Sequence, residues 1–295
     1  MISQKINLQV FGRPIMKLLL KKVVDQAIQF NWIWQVLNHT IIPFTLYAQR
    51  ARTRREVIKQ IPASLKPVFA KLTVMNGVFA GMKYPDMKSI SSMLFPKLLG
   101  SYEKELEPLL EKLCQNHYTE IVDVGCDEGY YAVGLAMRVK SAKIFAFDTN
   151  IEALRFCKEM ARLNDVAARV VTGSFCDAKT LTSLPLTERA LIISDCEGYE
   201  KELFSKETLP FLARHELLIE VHDHIDVEIS SYLRDLFALT HNIEIYSSID
   251  DIKKIHQYSY KELEGLSLEQ KRQMLSEGRQ SLMEWFYMKP KEDNI

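Results

Sequence analysis

Two short runs concentrate acids and histidines in a way that could move a proton or hold a cation. "SDCEGYE" carries Asp195, Glu197 and Glu200, and "EVHDH" carries Glu220, His222, Asp223 and His224. Each follows an apolar, β-branched stretch ("ALIIS" and "ELLI"), so each set of polar groups belongs at the C-terminal end of an expected strand. Ligands of open α/β sheets lie beyond those ends. Alternation along an extended chain sends Glu220, His222 and His224 to one side and Asp223 to the other. His222, whose ordinary pKa lies near neutrality, is the expected general base, with Asp195 and Glu197 beside it. Oxygen ligands from Asp195, Glu197 and Asp223 could alternatively hold Mg²⁺ or another divalent cation. A plainer reading also stands: His222 as a hydrogen-bonded core histidine, and Glu197 and Glu200 as caps of a helix that follows the turn at Gly198.

A second constellation lies upstream in "IVDVGCDEGYYAVGLA", from Ile121. A strand-like run passes through Asp123, Gly125, Asp127, Glu128 and Gly129 into a helix-like run. A dinucleotide site wants G-x-G-x-x-G there, so that backbone N–H groups can approach a pyrophosphate. This loop has two glycines and two carboxylates, which repel a pyrophosphate and suit a cationic ligand. S-adenosylmethionine fits, with its ammonium and sulfonium and no phosphate. Gly125 permits close backbone approach, and Asp123 and Asp127 can orient the amino-acid end. Asp148, followed by Thr149, ends the next strand at the place where an acid hydrogen-bonds a ribose diol. In "GSFCD", Ser174 and Phe175 are expected beside the adenine, unless the segment is an ordinary strand-to-loop turn.

These residues also carry a resemblance. "VDVGCDEGYYAVGLA" with "AFDTN" resembles motifs of class I S-adenosylmethionine-dependent methyltransferases. "LIISDCEGYEKELF" resembles the I-D-x-E-G-x-E signature of the FkbM-like family, with Asp195, Glu197, Gly198 and Glu200 in register, and "LLGSYEKEL" and "LLIEVHD" resemble segments flanking the core in bacterial members. The likeness spans Leu98 to His241 and departs from the pattern at Ser194. It implies O-methylation, often of sugar hydroxyls in glycans or natural products, and leaves the acceptor open. A nicotinamide-dependent oxidoreductase, for which Asp148 serves equally well, and a non-catalytic methyltransferase-like binding or assembly protein are the competing functions.

The scaffold that must position these groups is legible as alternating strands and helices from Glu120 onward. The expected strands are "EIVDV", "KIFAF", "ARVVTG", "ALIISD" and "ELLIEV". Helices are expected over Tyr130 to Val139, Ile151 to Leu163 and Glu200 to Ala213. Short apolar strands of this kind suit a parallel sheet covered on both faces, hence a doubly wound, Rossmann-like α/β domain. "NIEIYSSI" and "SLMEWFYMKP" read as late strands forming an antiparallel edge hairpin around a helical insertion near 258–278. The expected organisation is a helical N-terminal region over 1–95 and a methyltransferase domain over 96–295.

The N-terminal region is rich in Lys and Arg up to about Lys59, with Trp32 and Trp34 among amphipathic helical patterns. It suits a cap, a homodimer contact or a peripheral membrane surface. Formal net charge is zero over 295 residues, which argues against a nucleic-acid binder. The five cysteines show no disulfide or metal spacing and suit a reducing compartment. With no targeting or bilayer-spanning run, the expectation is a cytoplasmic enzyme acting on a small-molecule or glycan acceptor.

Overall fold

A computed structural model describes residues 59, 61–187, 189–279 and 281–291; the expected helical arm before Lys59 lies outside them. The residues from Pro62 onward form one compact unit. Residues 62–95, expected with the arm, therefore pack with the sheet: Met75 N donates to Leu98 O at 2.8 Å, and the Phe79 ring meets Tyr130 edge-on at 5.2 Å. Among the described residues no helix is long and apolar enough to cross a membrane.

The strands are β1 (Glu120–Val124), β2 (Lys143–Phe147), β3 (Val170–Gly173), β4 (Leu191–Ser194), β5 (Glu216–Val221), β6 (His241–Ser247) and β7 (Glu284–Pro290). They form one seven-stranded sheet in the order β3-β2-β1-β4-β5-β7-β6. β1 to β5 pair in parallel, and β7 runs antiparallel to both β5 and β6. β1, β4 and β5 are buried along their whole length, as central strands covered on both faces must be. β6 and β7 form the antiparallel pair at the sheet edge that the sequence places there, with β6 as the edge strand. Its exposed positions mark it as such, whereas Trp285 and Phe286 of β7 are fully buried.

Ten helices matter to the frame: α1 (Leu94–Leu99), α2 (Glu107–Gln115), α3 (Tyr130–Arg138), α4 (Ile151–Leu163), α5 (Ala178–Thr182), α6 (Glu200–Leu203), α7 (Leu209–Leu212), α8 (Ile229–Phe237), α9 (Asp251–Gln257) and α10 (Leu268–Leu275). Their starts are written locally. Asn150 caps α4 by accepting from Glu152 N and Ala153 N, and Ser267 with Gln270 forms a capping box on α10. The helix expected over Glu200 to Ala213 is two short ones, because Thr208 Oγ1 accepts from Ser205 N at 2.9 Å and holds a loop between them. α8 was not anticipated, although Ile229, Leu233 and Phe237 recur at helical spacing and are fully buried. The expected 258–278 insertion begins earlier, at α9.

The reversed β7 has a functional consequence. Its first residue, Glu284, lies level with Val221, the last residue of β5. The chain just before β7 therefore arrives over the edge of the sheet where the parallel strands end, bringing Glu277, Gly278, Arg279, Ser281 and Met283 to the ligand side.

Candidate functional site

A cavity of about 470 Å³ opens at the C-terminal ends of the parallel strands. The turn after β1 forms its floor. Gly125 takes φ +83°, and a Cβ there would stand 1.7 Å from Asp195 O, so this position accepts only glycine while the β1 and β4 turns touch. Gly125 N and Cys126 N donate to Phe147 O at 2.8 and 2.9 Å. Asp148 fixes the same turn, accepting from Asp127 N at 2.8 Å and Asn150 N at 2.7 Å.

The acids of this floor are under-supplied with partners. Asp123 Oδ2 and Asp127 Oδ1 are buried with no hydrogen-bond donor among the described residues, and both side chains line the cavity. Burial, with Asp195 and Asp148 nearby, pushes Asp123 up to about 8. Burial and the adjacent Glu128 do the same to Asp127. Glu128 itself is turned away from the cavity. It is fully buried and bonded to Lys97 Nζ at 2.5 Å, Ser89 Oγ at 2.7 Å and Ile90 N at 3.2 Å. Against the effect of burial, Lys97 holds its pKa at about 2. Of the two loop acids taken to favour a cationic ligand, then, only Asp127 faces one.

Thr149, Ser174 and Phe175 line the cavity as well, Phe175 half exposed with its ring 5.3 Å from that of Tyr199. Gly129, the second glycine of the loop and expected beside the cofactor, is placed differently. It stands at the head of α3 with φ +98°, and a Cβ there would come within 2.8 Å of Cys157 Sγ; it lets α4 pack closely and does not line the cavity.

The groups at the ends of β4 and β5 meet. His222 Nε2 lies 3.3 Å from Asp195 Oδ1 and 3.6 Å from Glu197 Oε2. Its Nδ1 lies 2.5 Å from Glu200 Oε1. Burial disfavours the imidazolium, but bonding to Asp195 and Glu200 overrides it and raises the pKa to about 10. The two carboxylates favour the imidazolium, which makes His222 a poorer proton acceptor than its residue type alone suggests. Glu200 is fully buried and is the partner that orients the ring. Glu197 is largely exposed, with φ +52°.

The sequence reading missed the opposite wall. Arg279, from the segment before β7, bonds to Glu220 through Nη1, to Glu103 through Nη2 at 2.5 Å and to Glu277 through Nε at 2.9 Å. Glu103 also accepts from Tyr131 OH, and Lys254 Nζ stands 2.5 Å from Glu277. Burial pushes Glu103 up to about 7 against the pull of Arg279. Tyr102, Lys97, Ser91 and Ser92 complete the cavity on the side of α1. No local pattern marks these residues, since their partners come from remote parts of the chain.

The donor set does not fit a divalent cation. Asp223 is elsewhere: its Oδ1 accepts from Ser230 N at 2.9 Å, and it lines a separate cavity of about 330 Å³. The ligand atoms that do converge, within 4.8 Å, belong to Asp195, Glu220 and His222. Glu220 is held by a guanidinium and Asp195 faces an imidazolium, so a metal would have to expel two resident cations.

Residues 104–184 match the family model described as the methyltransferase small domain. No curated protein matches the sequence. The fold is similar to that of an S-adenosylmethionine-dependent methyltransferase from Geobacter sulfurreducens in complex with S-adenosyl-L-homocysteine. That likeness has 17% identity and a TM-score of 0.40, covering 64% of this chain and 91% of that one. It is likewise similar to precorrin-6y C5,15-methyltransferase from Geobacter metallireducens GS-15, with 15% identity and a TM-score of 0.42, covering 62% of this chain and 85% of that one. Strand order and the reversed β7 make this a Rossmann-like methyltransferase fold.

Proposed function

We propose that the chain is an S-adenosylmethionine-dependent O-methyltransferase whose acceptor is a hydroxyl of a sugar, glycan or related natural product, as the FkbM-like resemblance implies. The observation that carries the cofactor reading is the pair of buried carboxylate oxygens on Asp123 and Asp127 that have no donor on side chains lining the cavity. Leaving such atoms unpaired is costly. A ligand bearing an ammonium, a sulfonium and ribose hydroxyls supplies the donors and charge they lack, whereas a pyrophosphate would meet the same acids repulsively. Asp148 stands where a ribose diol is bound, and Ser174, Phe175 and Thr149 border the nucleoside.

When bound, the cofactor supplies an electrophilic methyl group on a good leaving group. The chain's residues then have to place the acceptor and take its proton. Asp195 is the proton acceptor in this reading, because it lines the cavity at the end of β4 with its Oδ1 3.3 Å from His222 Nε2. His222, oriented by Glu200, stays cationic and steadies the negative charge that develops on the acceptor oxygen. Glu220 and Arg279 form a fixed wall that orients the acceptor, which is where most of the rate gain in such a transfer arises.

The experiment is a thermal-shift and calorimetric comparison of S-adenosylhomocysteine with NADH, followed by transfer of isotopically labelled methyl to methyl glycosides. S-adenosylhomocysteine at about a hundred times its Kd should stabilise the protein by about 2.7 kcal/mol, with NADH silent and label recovered as an alkali-stable ether. Stabilisation by NADH alone would sink the cofactor reading, and label recovered only as ester or amine would sink the O-methyl reading.

A further inference from the structure

The second cavity, of about 330 Å³ at the ends of β5, β6 and β7, has no part in the roles above. It shares a wall with the first, because His224 and Met283 line both. Met283 is fixed in place: its N donates to Ser248 Oγ at 2.8 Å and its O accepts from Ser248 N at 2.8 Å. The His224 ring lies 5.7 Å from the ring of His222. The second cavity therefore opens directly beyond the groups that face the reacting hydroxyl.

Its lining is mixed. Leu282, which is mostly exposed, and Met283 offer apolar surface, and Asp223, Ser247 and Glu284 supply polar groups. Asp223 Oδ1 accepts from Ser230 N at 2.9 Å, which fixes the carboxylate and leaves Oδ2 to a ligand. Glu284 is partly exposed, and Arg234 stands 3.8 Å from it, outside the lining. No lysine or arginine lines this cavity among the described residues. Carboxylates and a hydroxyl beside apolar side chains suit a neutral sugar ring, whose hydroxyls donate to the acids while its C–H face packs on the apolar surface.

Where an acceptor can extend is set by what is already taken. Its reacting hydroxyl has to stand by Asp195 and His222, at the ends of β4 and β5. The cofactor takes the β1 and β2 side, and the ion pair of Glu220 and Arg279 is a fixed wall. The direction left open runs past His224 and Met283. We infer that the second cavity receives the neutral sugar unit next to the one that is methylated, so that the acceptor has at least two sugar rings. This rests on the O-methyltransferase reading and narrows its acceptor from any hydroxyl compound to an oligosaccharide or oligoglycoside.

The test measures labelled methyl transfer by the full chain to matched pairs of acceptors. Each pair is the methyl glycoside of one hexose and the methyl glycoside of a disaccharide carrying that hexose plus one neutral unit. Wild type should show kcat/KM about 10–100-fold higher for the disaccharide, the range for hydrogen bonds to charged groups, with the gain in KM. Ser247→Trp fills the second cavity from the exposed end of β6 and should erase that gain. Its rates with single hexosides and its S-adenosylhomocysteine affinity should stay within about twofold of wild type. Asp223→Asn keeps an oxygen for Ser230 N, loses the charge, and should forfeit about 3–10-fold of the gain. A uronic acid in place of the neutral unit should forfeit the gain as well, since carboxylates line the cavity. Equal kcat/KM within every pair overturns the inference and leaves the O-methyltransferase reading intact. So does a Ser247→Trp variant that keeps the full gain, because the second unit would then lie elsewhere. If S-adenosylhomocysteine binds but no sugar in the panel takes label, the sugar-hydroxyl reading falls, and this inference falls with it.

Discussion

The two halves of the cavity hold the same kind of residue in opposite states. Over β1 and β2, buried carboxylates face open space with unpartnered oxygens. Over β5 and β7, Glu220, Glu103 and Glu277 are buried to a similar degree, yet each is bonded to Arg279. An acid left without a cation raises the cost of the ligand-free state and rewards a ligand that brings one. An acid already paired is structural: it fixes a wall and offers nothing to a charged ligand. The contrast separates the part of the site that binds charge from the part that shapes.

The strongest way to break that contrast is to remove the cation from the paired half. Arg279→Met strands two buried carboxylates, Glu220 and Glu103, while Glu277 keeps Lys254, and breaking a buried pair on one side costs about 3–5 kcal/mol. For a chain of this size each kcal/mol lost lowers Tm by roughly 2–4 °C, so thermal unfolding should show a drop of several degrees. An unchanged Tm would mean that the network is not the frame it is taken for. The double variant Arg279→Met/Glu220→Gln should recover part of the loss, because one stranded charge is gone.

Asp123→Asn probes the unpaired half and should behave in the opposite sense. Folding raises the Asp123 pKa to about 8 from an ordinary carboxylate value near 4. A group with a raised folded pKa contributes stability below its unfolded pKa and loses it as pH rises through the folded one. Wild type therefore loses stability between about pH 4 and 8 at this site, and the asparagine variant should not. Unfolding curves at pH 5 and pH 8 test this, with the variant expected to be at least as stable as wild type at pH 8. Binding reverses the order. The ligand's ammonium needs the ionised carboxylate, so wild-type affinity for S-adenosylhomocysteine should rise from pH 6 to 8, by up to about tenfold per unit. Asp123→Asn should bind about 10–100-fold more weakly and with a flatter pH dependence. A variant that binds as tightly as wild type would remove Asp123 from the site.

How much of this could be read without coordinates follows from where the information sits in the chain. β1, β2 and β5 have the boundaries expected of them, because strands covered on both faces leave unbroken apolar, β-branched runs. The β1–β2 side of the cavity is legible for a related reason: Asp123, Gly125 and Asp148 sit at strand ends, and their spacing is local. The paired half is not. Arg279 reaches Glu220 across 59 positions and Glu103 across 176, and nothing near "GRQS" announces those partners. His222 was singled out by its type, but its charge state depends on Glu200, whose role as a ring partner no spacing rule reveals. Glu128 shows the reverse failure. It stands in the motif beside Asp127 and looks equivalent, until Lys97 arrives from upstream and turns it outward.

The smallest effect expected is a null one, and it bears on the same contrast. Asp195, Glu220 and His222 converge closely enough to suggest a metal centre. If they held a divalent cation, the paired half would be a binding site after all, and Arg279 a competitor for it. The resident partners argue otherwise: Glu220 is bonded to a guanidinium, and both ring nitrogens of His222 already face carboxylates. Chelation should therefore leave methyl transfer within about twofold of the untreated enzyme, because a bound ion stabilising an alkoxide would contribute several kcal/mol to the barrier. The measurement is initial rate with EDTA against added Mg²⁺ or Mn²⁺, with S-adenosylhomocysteine affinity as a control. A metal-restored rate at unchanged cofactor affinity would place a cation beside Asp195, and would require Arg279 and the His222 proton to give way to it.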